Sequence, residues 1–465
     1  MRLQKIISPR LAFLLAHAPQ MAFGVVVVIV FSRLVEPGEF GVFAKAFALA
    51  NIISALFYGW LQMSFLRKAV GGQGAAPLGI RLIVTSLFLP VIPVLFLVIA
   101  LDFYGVLEFA LLSGFSAVAY SSSIALSQYA RGLNHPRLYG AISFLRFFGV
   151  IGFGALLTSL HQTAESLILS VALGGLVSLP PALFLAYKSV KSVGLQCNLE
   201  RSPTLRELLG YGAPASISLL AVMIMIHGDR ILADMWLSVD VVGAYSAQVD
   251  VTRQVVYPVI AALATSLVPV SLAKLRSDGD SLAIKHIERE SGSLLAITAP
   301  LVFFAIFFPS LVISVLLPGI YAVQVDNAAS LSAAGAWLMA WRLLKIDPVF
   351  HVLTQPRRIA LVALIGLLFW VGSIGPLAEH FGPNGLAAAG VIAGAVSLLS
   401  GCLMIKRAAA EYTFLESGLF LRLALSLCAF FIANRFAGAG YIGTAEAAGL
   451  AVVVSYTTFI FVKRG

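Results

Sequence analysis

Long apolar stretches recur along the whole chain, and they limit its fold more than any other feature. A helix needs ~20 apolar residues to cross a hydrocarbon layer about 30 Å thick. Runs of this kind, separated by polar residues or by Gly and Pro, lie near residues 11–32, 41–64, 82–101, 106–128, 141–160, 166–187, 212–234, 243–269, 293–317, 328–347, 359–378, 385–405, 419–437 and 445–462. They predict an all-α integral membrane protein with about fourteen transmembrane helices.

The composition supports a lipid environment. Of the 465 residues, 60% are hydrophobic and 11% are charged, whereas charged residues make up about a quarter of a soluble domain. The spans and their connections leave no room for a separate globular domain. Three widely spaced cysteines, Cys197, Cys402 and Cys428, indicate neither a metal site nor a disulfide framework.

The basic residues predict the orientation of the spans. With the N-terminus inside the cell, most of the 31 Lys and Arg residues fall in cytoplasmic loops, as the positive-inside rule requires. We therefore expect a multi-pass protein with both termini in the cytoplasm. Basic loops beside an anionic leaflet also account for the net charge of +10, so this charge does not indicate a nucleic-acid partner.

The two halves of the chain resemble each other. Three pairs of segments match in the same order: GEFGVFAKAF (38–47) with DVVGAYSAQV (240–249), NHPRL (134–138) with TQPRR (354–358), and GGLVSL (174–179) with AGAVSL (393–398). Such like-facing repeats are typical of transporters, whose substrate site lies between the halves near the middle of the membrane.

The repeats predict two six-helix lobes around a central cleft. We expect a first lobe at 1–187, a cytoplasmic linker at 188–211, a second lobe at 212–407, and two additional helices at 408–465. No G-x-S-x-G, H-E-x-x-H or nucleotide-binding G-x-x-x-x-G-K-[ST] motif occurs in the sequence. The chain is therefore predicted to be no enzyme, to need no cofactor or metal, and to draw on a proton or sodium gradient.

Charged side chains inside the spans are the candidate functional residues, because a charge in the hydrocarbon layer usually faces a cavity or a partner. Ser246, Asp250, Arg253 and Tyr257 are spaced so that they share one face of the eighth span. We expect this face to line the cleft, with Arg253 binding phosphate through its planar guanidinium and Asp250 tuning it or sensing a coupling ion. The alternative is an Asp250–Arg253 ion pair that only neutralises itself.

Other polar residues complete the predicted site. Four further cations could make the cleft electropositive, or could instead extend toward the membrane surface: Lys45, Arg146, Arg342 and Lys345. Gln128 is predicted to line the cleft. His227, Asp229 and Arg230, near the outer end of the seventh span, are predicted to form a gate or a proton-sensitive cluster, with a purely structural network as the alternative.

Four segments carry a resemblance to a known family: RLVEPGEFGVFAKAFALANII (33–53), YGAPASISLL (211–220), DRILADMWLSVDVVGAYSAQVD (229–250) and HFGPNGLAAAGVIAG (380–394). They resemble the Wzx-type oligosaccharide flippases, or polysaccharide transporters, of the multidrug, oligosaccharidyl-lipid and polysaccharide exporter superfamily. The resemblance spans nearly the whole chain. It implies two lobes that open alternately to the two sides of a bacterial inner membrane.

The resemblance also implies a substrate and partners. The substrate would be an undecaprenyl-diphosphate-linked oligosaccharide, moved to the periplasmic leaflet for O-antigen, capsule or exopolysaccharide assembly. A polysaccharide polymerase and a chain-length regulator would be the protein partners. A cation-coupled multidrug exporter of the same superfamily is one alternative, and a membrane glycan polymerase or ligase is another. Short outside loops argue against the latter.

Overall fold

The computed structural model describes residues 9–69, 80–103, 109–132, 135–193, 204–321, 327–409, 412–414 and 417–462. This part of the chain is almost entirely helical and contains no strand. Each of the predicted spans coincides with a helix or with a pair of helices in direct succession. The chain forms two compact units, Met1–Ile231 and Leu232–Gly465.

The described helices of the first unit run in chain order from the N-terminus. They are α1 (Pro9–Phe31), α2 (Pro37–Ile53), α3 (Gly59–Ala69), α4 (Ile80–Phe88), α5 (Val91–Phe103), α6 (Ala110–Gly132), α7 (Pro136–Leu160), α8 (Ala164–Val193) and α9 (Leu205–Leu232), whose last residue crosses the unit boundary.

The described helices of the second unit continue this numbering. They are α10 (Val239–Asp278), α11 (Asp280–Phe307), α12 (Pro309–Leu316), α13 (Ala328–Trp341), α14 (Asp347–Val352), α15 (Pro356–Phe381), α16 (Pro383–Ala408), α17 (Ser417–Gly438) and α18 (Thr444–Val462).

The helices have the length and surface of membrane spans. Within the described residues, ten helical segments are long and apolar enough to cross a membrane. Large apolar side chains also lie on the outside, where Phe96 is 73% exposed and Leu368 is 70% exposed. Such surfaces suit lipid, because lipid tails are as apolar as these side chains. The prediction of an all-α, multi-pass membrane protein is confirmed.

The predicted lobe boundaries stay predictions. Residues 194–203 of the predicted linker lie outside the described residues, and α8 reaches Val193 before them. Helix α9, which the sequence assigns to the second lobe, belongs to the first compact unit. In that unit the Ser64 hydroxyl of α3 donates a 2.6 Å hydrogen bond to the Leu208 carbonyl of α9. The last two helices, α17 and α18, contribute to the same hydrophobic core as α11.

Two spans contain a short π-helix. Residues Ser54–Tyr58 join α2 to α3, and residues Arg342–Ile346 join α13 to α14. A π segment inserts extra backbone into an α-helix, and such segments are frequent at functional sites. Each one therefore changes which residues face each other on the two sides of it.

Glycines let neighbouring helices approach closely in both units. In the first unit a Cβ on Gly149 would lie 2.9 Å from the Cα of Gly174, so α7 and α8 touch through their backbones. In the second unit a Cβ on Gly366 would overlap the hydroxyl of Ser397, so α15 packs directly on α16. Small residues at helix contacts are the common means of packing spans in lipid.

We predict that Gly366→Ala destabilises the protein, whereas Gly372→Ala on the same helix does not. The new methyl group at 366 would press on Ser397 and on the Ala393 carbonyl, 3.0 Å away, at a cost of about 1–3 kcal/mol. A Cβ at Gly372 meets nothing within 4 Å. Thermal melting of the detergent-purified variants tests this, and equal melting temperatures would contradict it.

Candidate functional site

Arg146 lies inside the first unit. Helix α7 begins at Pro136, whose fixed backbone suits the first helical position, and it carries Arg146 into the unit, where only 2% of the residue is exposed. Its guanidinium donates to the Gln20 side-chain oxygen of α1 at 2.6 Å and to the Ser123 hydroxyl of α6 at 3.1 Å. Three helices thus meet at one charged group.

The Ser123 hydroxyl, which accepts a hydrogen bond from Arg146, is itself hydrogen-bonded to further neutral groups. The Ser123 and Ser178 oxygens are 2.5 Å apart, and Ser178 donates to the Gly175 carbonyl at 2.7 Å. Because Ser178 uses its hydrogen there, Ser123 donates to Ser178 and accepts from Arg146. Both serines are fully buried. These hydrogen bonds connect Arg146 to α8.

Aromatic rings cover one side of Arg146. The guanidinium carbon lies 5.2 Å from the centre of the Tyr120 ring, within the range of a cation–π contact. Phe23 of α1 and Phe47 of α2 pack on the same ring, with centroid distances of 5.7 Å and 6.1 Å. These rings exclude water from this side of the charge.

Two other predicted residues of the first unit, Lys45 and Gln128, do not belong to the hydrogen bonds of Arg146. Lys45 is half-buried on α2, and Gln128 is half-buried on α6, where it accepts a 3.4 Å hydrogen bond from Arg131. Among the described residues, neither forms a hydrogen bond with Arg146. Their predicted role in lining a cleft stays a prediction.

The predicted gate residues form a compact buried cluster near the end of α9. The Asp229 carboxylate and the Arg230 guanidinium are 3.2 Å apart, and each residue is 1% exposed. The Arg230 guanidinium also donates to the Ile226 carbonyl at 2.7 Å, and it lies 3.5 Å from His227 Nδ1. This arrangement fits the structural alternative, while gating stays a prediction.

The predicted polar face of the eighth span lies on α10. Arg253 is 8% exposed, and a Cβ on Gly390 of α16 would lie 3.9 Å from its guanidinium. Ser246 is fully buried, and Asp250 and Tyr257 are half-buried. The face is therefore largely buried within the second unit, and its role in lining a cleft stays a prediction.

The second unit contains another buried charge pair, which involves a residue that the sequence analysis missed. Arg342 Nε lies 3.2 Å from the Asp347 carboxylate, and Tyr257 lies within electrostatic range of both groups. In a regular α-helix, residues five apart point to different sides. The π segment closes this separation, because the Asp347 N–H bonds to the Arg342 carbonyl.

Lys345 belongs to the same π segment. It is fully buried, and its ammonium group donates to the Glu288 carbonyl at 3.2 Å and lies 5.9 Å from the centre of the Tyr412 ring. The Tyr412 hydroxyl in turn donates to the Lys345 carbonyl at 3.0 Å. Both cations of this segment therefore contact groups of the second unit, and neither extends to the surface.

Sequence reasoning missed the hydroxyl partners of Arg146. The run YSSS at 120–123, in the middle of an apolar span, was the available signal. His17 stands one helical turn before Gln20, and its side chain is not among those that the structure describes.

In the part of the chain that the structure describes, no group of His, Cys, Asp or Glu could hold a metal ion.

Comparison with known proteins identifies the fold. No protein-family profile and no curated sequence matches the chain. Solved structures do match. The lipid II flippase MurJ in an inward closed conformation superposes with a TM-score of 0.66 at 15% identity, covering 97% of each chain. The chain has the fold of this flippase.

MATE transporters share that fold. The MATE transporter VcmN of Vibrio cholerae in its bent form matches with a TM-score of 0.55 at 14% identity, over 86% of this chain and 96% of the transporter. The eukaryotic MATE transporter AtDTX14 matches with a TM-score of 0.54 at 14% identity, over 86% and 94%. These neighbours are transporters and a flippase rather than enzymes.

We predict that Asp347→Asn destabilises the protein because it removes the carboxylate that pairs with Arg342. Breaking a buried pair costs about 3–5 kcal/mol. Replacing both partners, with Arg342→Met and Asp347→Leu, should restore most of the lost melting temperature. Glu379→Gln, at an exposed carboxylate of α15, is the matched control. An Asp347→Asn variant that melts with the wild type would contradict the pairing.

Proposed function

We propose that the chain is a flippase that moves a lipid-linked oligosaccharide across the membrane. The observation that carries this proposal is the extent of the MurJ match. MurJ matches 97% of the chain, whereas the MATE transporters with a TM-score above 0.5 match 85–86%. A flippase scaffold therefore accounts for more of the chain than a drug-exporter scaffold does.

The charges inside the two units support an anionic substrate. Arg146, Arg253, Arg342 and Lys345 are all buried cations. Among the described carboxylates, Asp229 is buried and pairs with Arg230, and Asp250 and Asp347 are half-buried. An exporter of cationic drugs would instead need acidic groups to attract its substrate. An excess of buried cations suits a diphosphate.

In the proposed mechanism Arg253 binds the diphosphate. Its planar guanidinium can donate two parallel hydrogen bonds to phosphate oxygens, and Asp250 on the same helix tunes it or senses a coupling ion. The lipid is undecaprenyl diphosphate carrying an oligosaccharide repeat unit. The two lobes alternate between openings to the two sides of a bacterial inner membrane, a proton or sodium gradient drives the cycle, and both termini are cytoplasmic.

The product would enter O-antigen, capsule or exopolysaccharide assembly, with a polymerase and a chain-length regulator as partners. A cation-coupled multidrug exporter is the second candidate, because the MATE transporters share the fold.

Cells that lack the protein distinguish the two candidates. For a flippase we expect lipid-linked repeat units to accumulate on the cytoplasmic leaflet while the surface polymer disappears, and the wild-type gene should reverse both effects. Normal surface polymer together with lost efflux of cationic dyes would support the drug exporter instead.

We predict that Arg253→Ala strongly reduces flipping and that Arg253→Lys retains more of it than Arg253→Ala, because a lysine keeps the charge but not the planar fork of the guanidinium. A loss of about tenfold or more is expected from removing one charge-assisted hydrogen bond. Initial rates in proteoliposomes with a fluorescent lipid diphosphate measure this. The control is Arg435→Ala, an exposed arginine that lies over Phe431 on α17.

Equal amounts of folded protein must be compared, so the initial rate of each variant is divided by the amount of protein in its monodisperse gel-filtration peak. Full activity of Arg253→Ala would remove Arg253 from the proposed site.

A further inference from the structure

We propose that Arg146, Gln20, Ser123 and Tyr120 form an anion-binding site within the first unit, separate from Arg253. The ligand would be a phosphate-type oxyanion. Such a group comes either from free inorganic anions or from the phosphate of a lipid. The assignment of a lipid phosphate to the transported substrate rests on the proposed function, whereas anion binding itself does not.

The charge of Arg146 is solvated by neutral groups only. Its recorded contacts are the Gln20 amide, the Ser123 hydroxyl and the Tyr120 ring. Within the described residues no carboxylate lies in ion-pair distance of it. Arginine keeps its proton in proteins, and a buried charge is costly without a counter-charge. A bound anion would supply that counter-charge.

The guanidinium retains hydrogen-bonding capacity for such a ligand. It has five N–H groups, of which the recorded hydrogen bonds in the described residues use two. The contacts to Gln20 and Ser123 hold its plane between α1 and α6. A positioned guanidinium plane matches the oxygens of a phosphate better than a freely rotating cation does.

The internal repeat shows that this arrangement is particular to the first unit. Helices α7 and α15 begin at the matching prolines Pro136 and Pro356, and Arg146 and Gly366 each stand ten residues after them. Ser178 and Ser397 occupy matching positions in GGLVSL and AGAVSL.

The two units use these matching positions differently. In the second unit Gly366 packs directly against Ser397, with no space for a side chain. In the first unit Arg146 of α7 instead bonds to Ser123 of α6, which bonds to Ser178 of α8. At this level a charged group and its polar partners replace the glycine contact, while α7 and α8 still touch one turn away at Gly149 and Gly174, so their close packing does not depend on the charge.

The test measures anion-dependent stabilisation of the purified full chain. Melting temperatures are followed by tryptophan fluorescence while sodium pyrophosphate is titrated against gluconate at constant ionic strength. The titration uses the Arg253→Gln variant, so that binding at Arg253 does not contribute. We expect pyrophosphate to raise the melting temperature, and Arg146→Gln in the same background to weaken the apparent affinity by about tenfold or more.

Two further variants keep the test decisive if Arg146→Gln does not fold. Gln20→Leu and Ser123→Ala keep the charge but remove one positioning contact each, and both should weaken the pyrophosphate effect. Arg435→Gln is the control and should leave it unchanged. An effect of pyrophosphate that is absent, or that persists unaltered in all three site variants, would overturn the proposal.

Farnesyl diphosphate and sodium chloride distinguish the source of the anion. Arg146-dependent stabilisation by farnesyl diphosphate would identify a lipid phosphate, and stabilisation by inorganic anions alone would identify a free anion. Either result supports the site. Because these measurements need no transport, loss of the proposed flippase activity and loss of anion binding can be recognised separately.

Discussion

The structure depends on one constraint, which is that backbone polar groups in lipid must be satisfied within the chain. Helices meet it by themselves, so the spans become helices whatever their side chains do. The side chains are then free to decide how closely the helices approach. Gly149 and Gly174 in the first unit, and Gly366 in the second, bring backbones into contact. Charged groups can remain inside only where the helices stand far enough apart to surround them with polar partners.

The sequence predicts the helices well, since a run of ~20 apolar residues has few alternatives in a membrane. The structure begins α7 and α15 at Pro136 and Pro356, ahead of the predicted spans 141–160 and 359–378. The inward position of Arg253 follows from helical spacing. What the sequence could not supply is the set of contacts between helices: the Ser123–Ser178 bond depends on the rotation of α6 and α8, which apolar periodicity leaves open in helices that are hydrophobic on all sides.

Two buried arginines, one in each unit, are accommodated in contrasting ways. In the second unit Arg342 has a carboxylate, Asp347, at 3.2 Å, and its charge is balanced locally. In the first unit Arg146 is surrounded by an amide, a hydroxyl and a ring, which lower the cost of burial without cancelling the charge. The repeat that relates the two halves therefore preserves the helices while the electrostatics have diverged.

The π segment at Arg342–Ile346 has a consequence for the phase of its span. An α-helix turns by about 100° for each residue, so one inserted residue rotates everything after it by that angle. Residues beyond the segment, such as Asp347, face the neighbours that a regular helix would give to the residue one position earlier. A helical wheel drawn through this span is correct on one side of the segment and out of register on the other, and deleting a single residue here would let the span close into a regular α-helix while the residues after it keep facing the same neighbours.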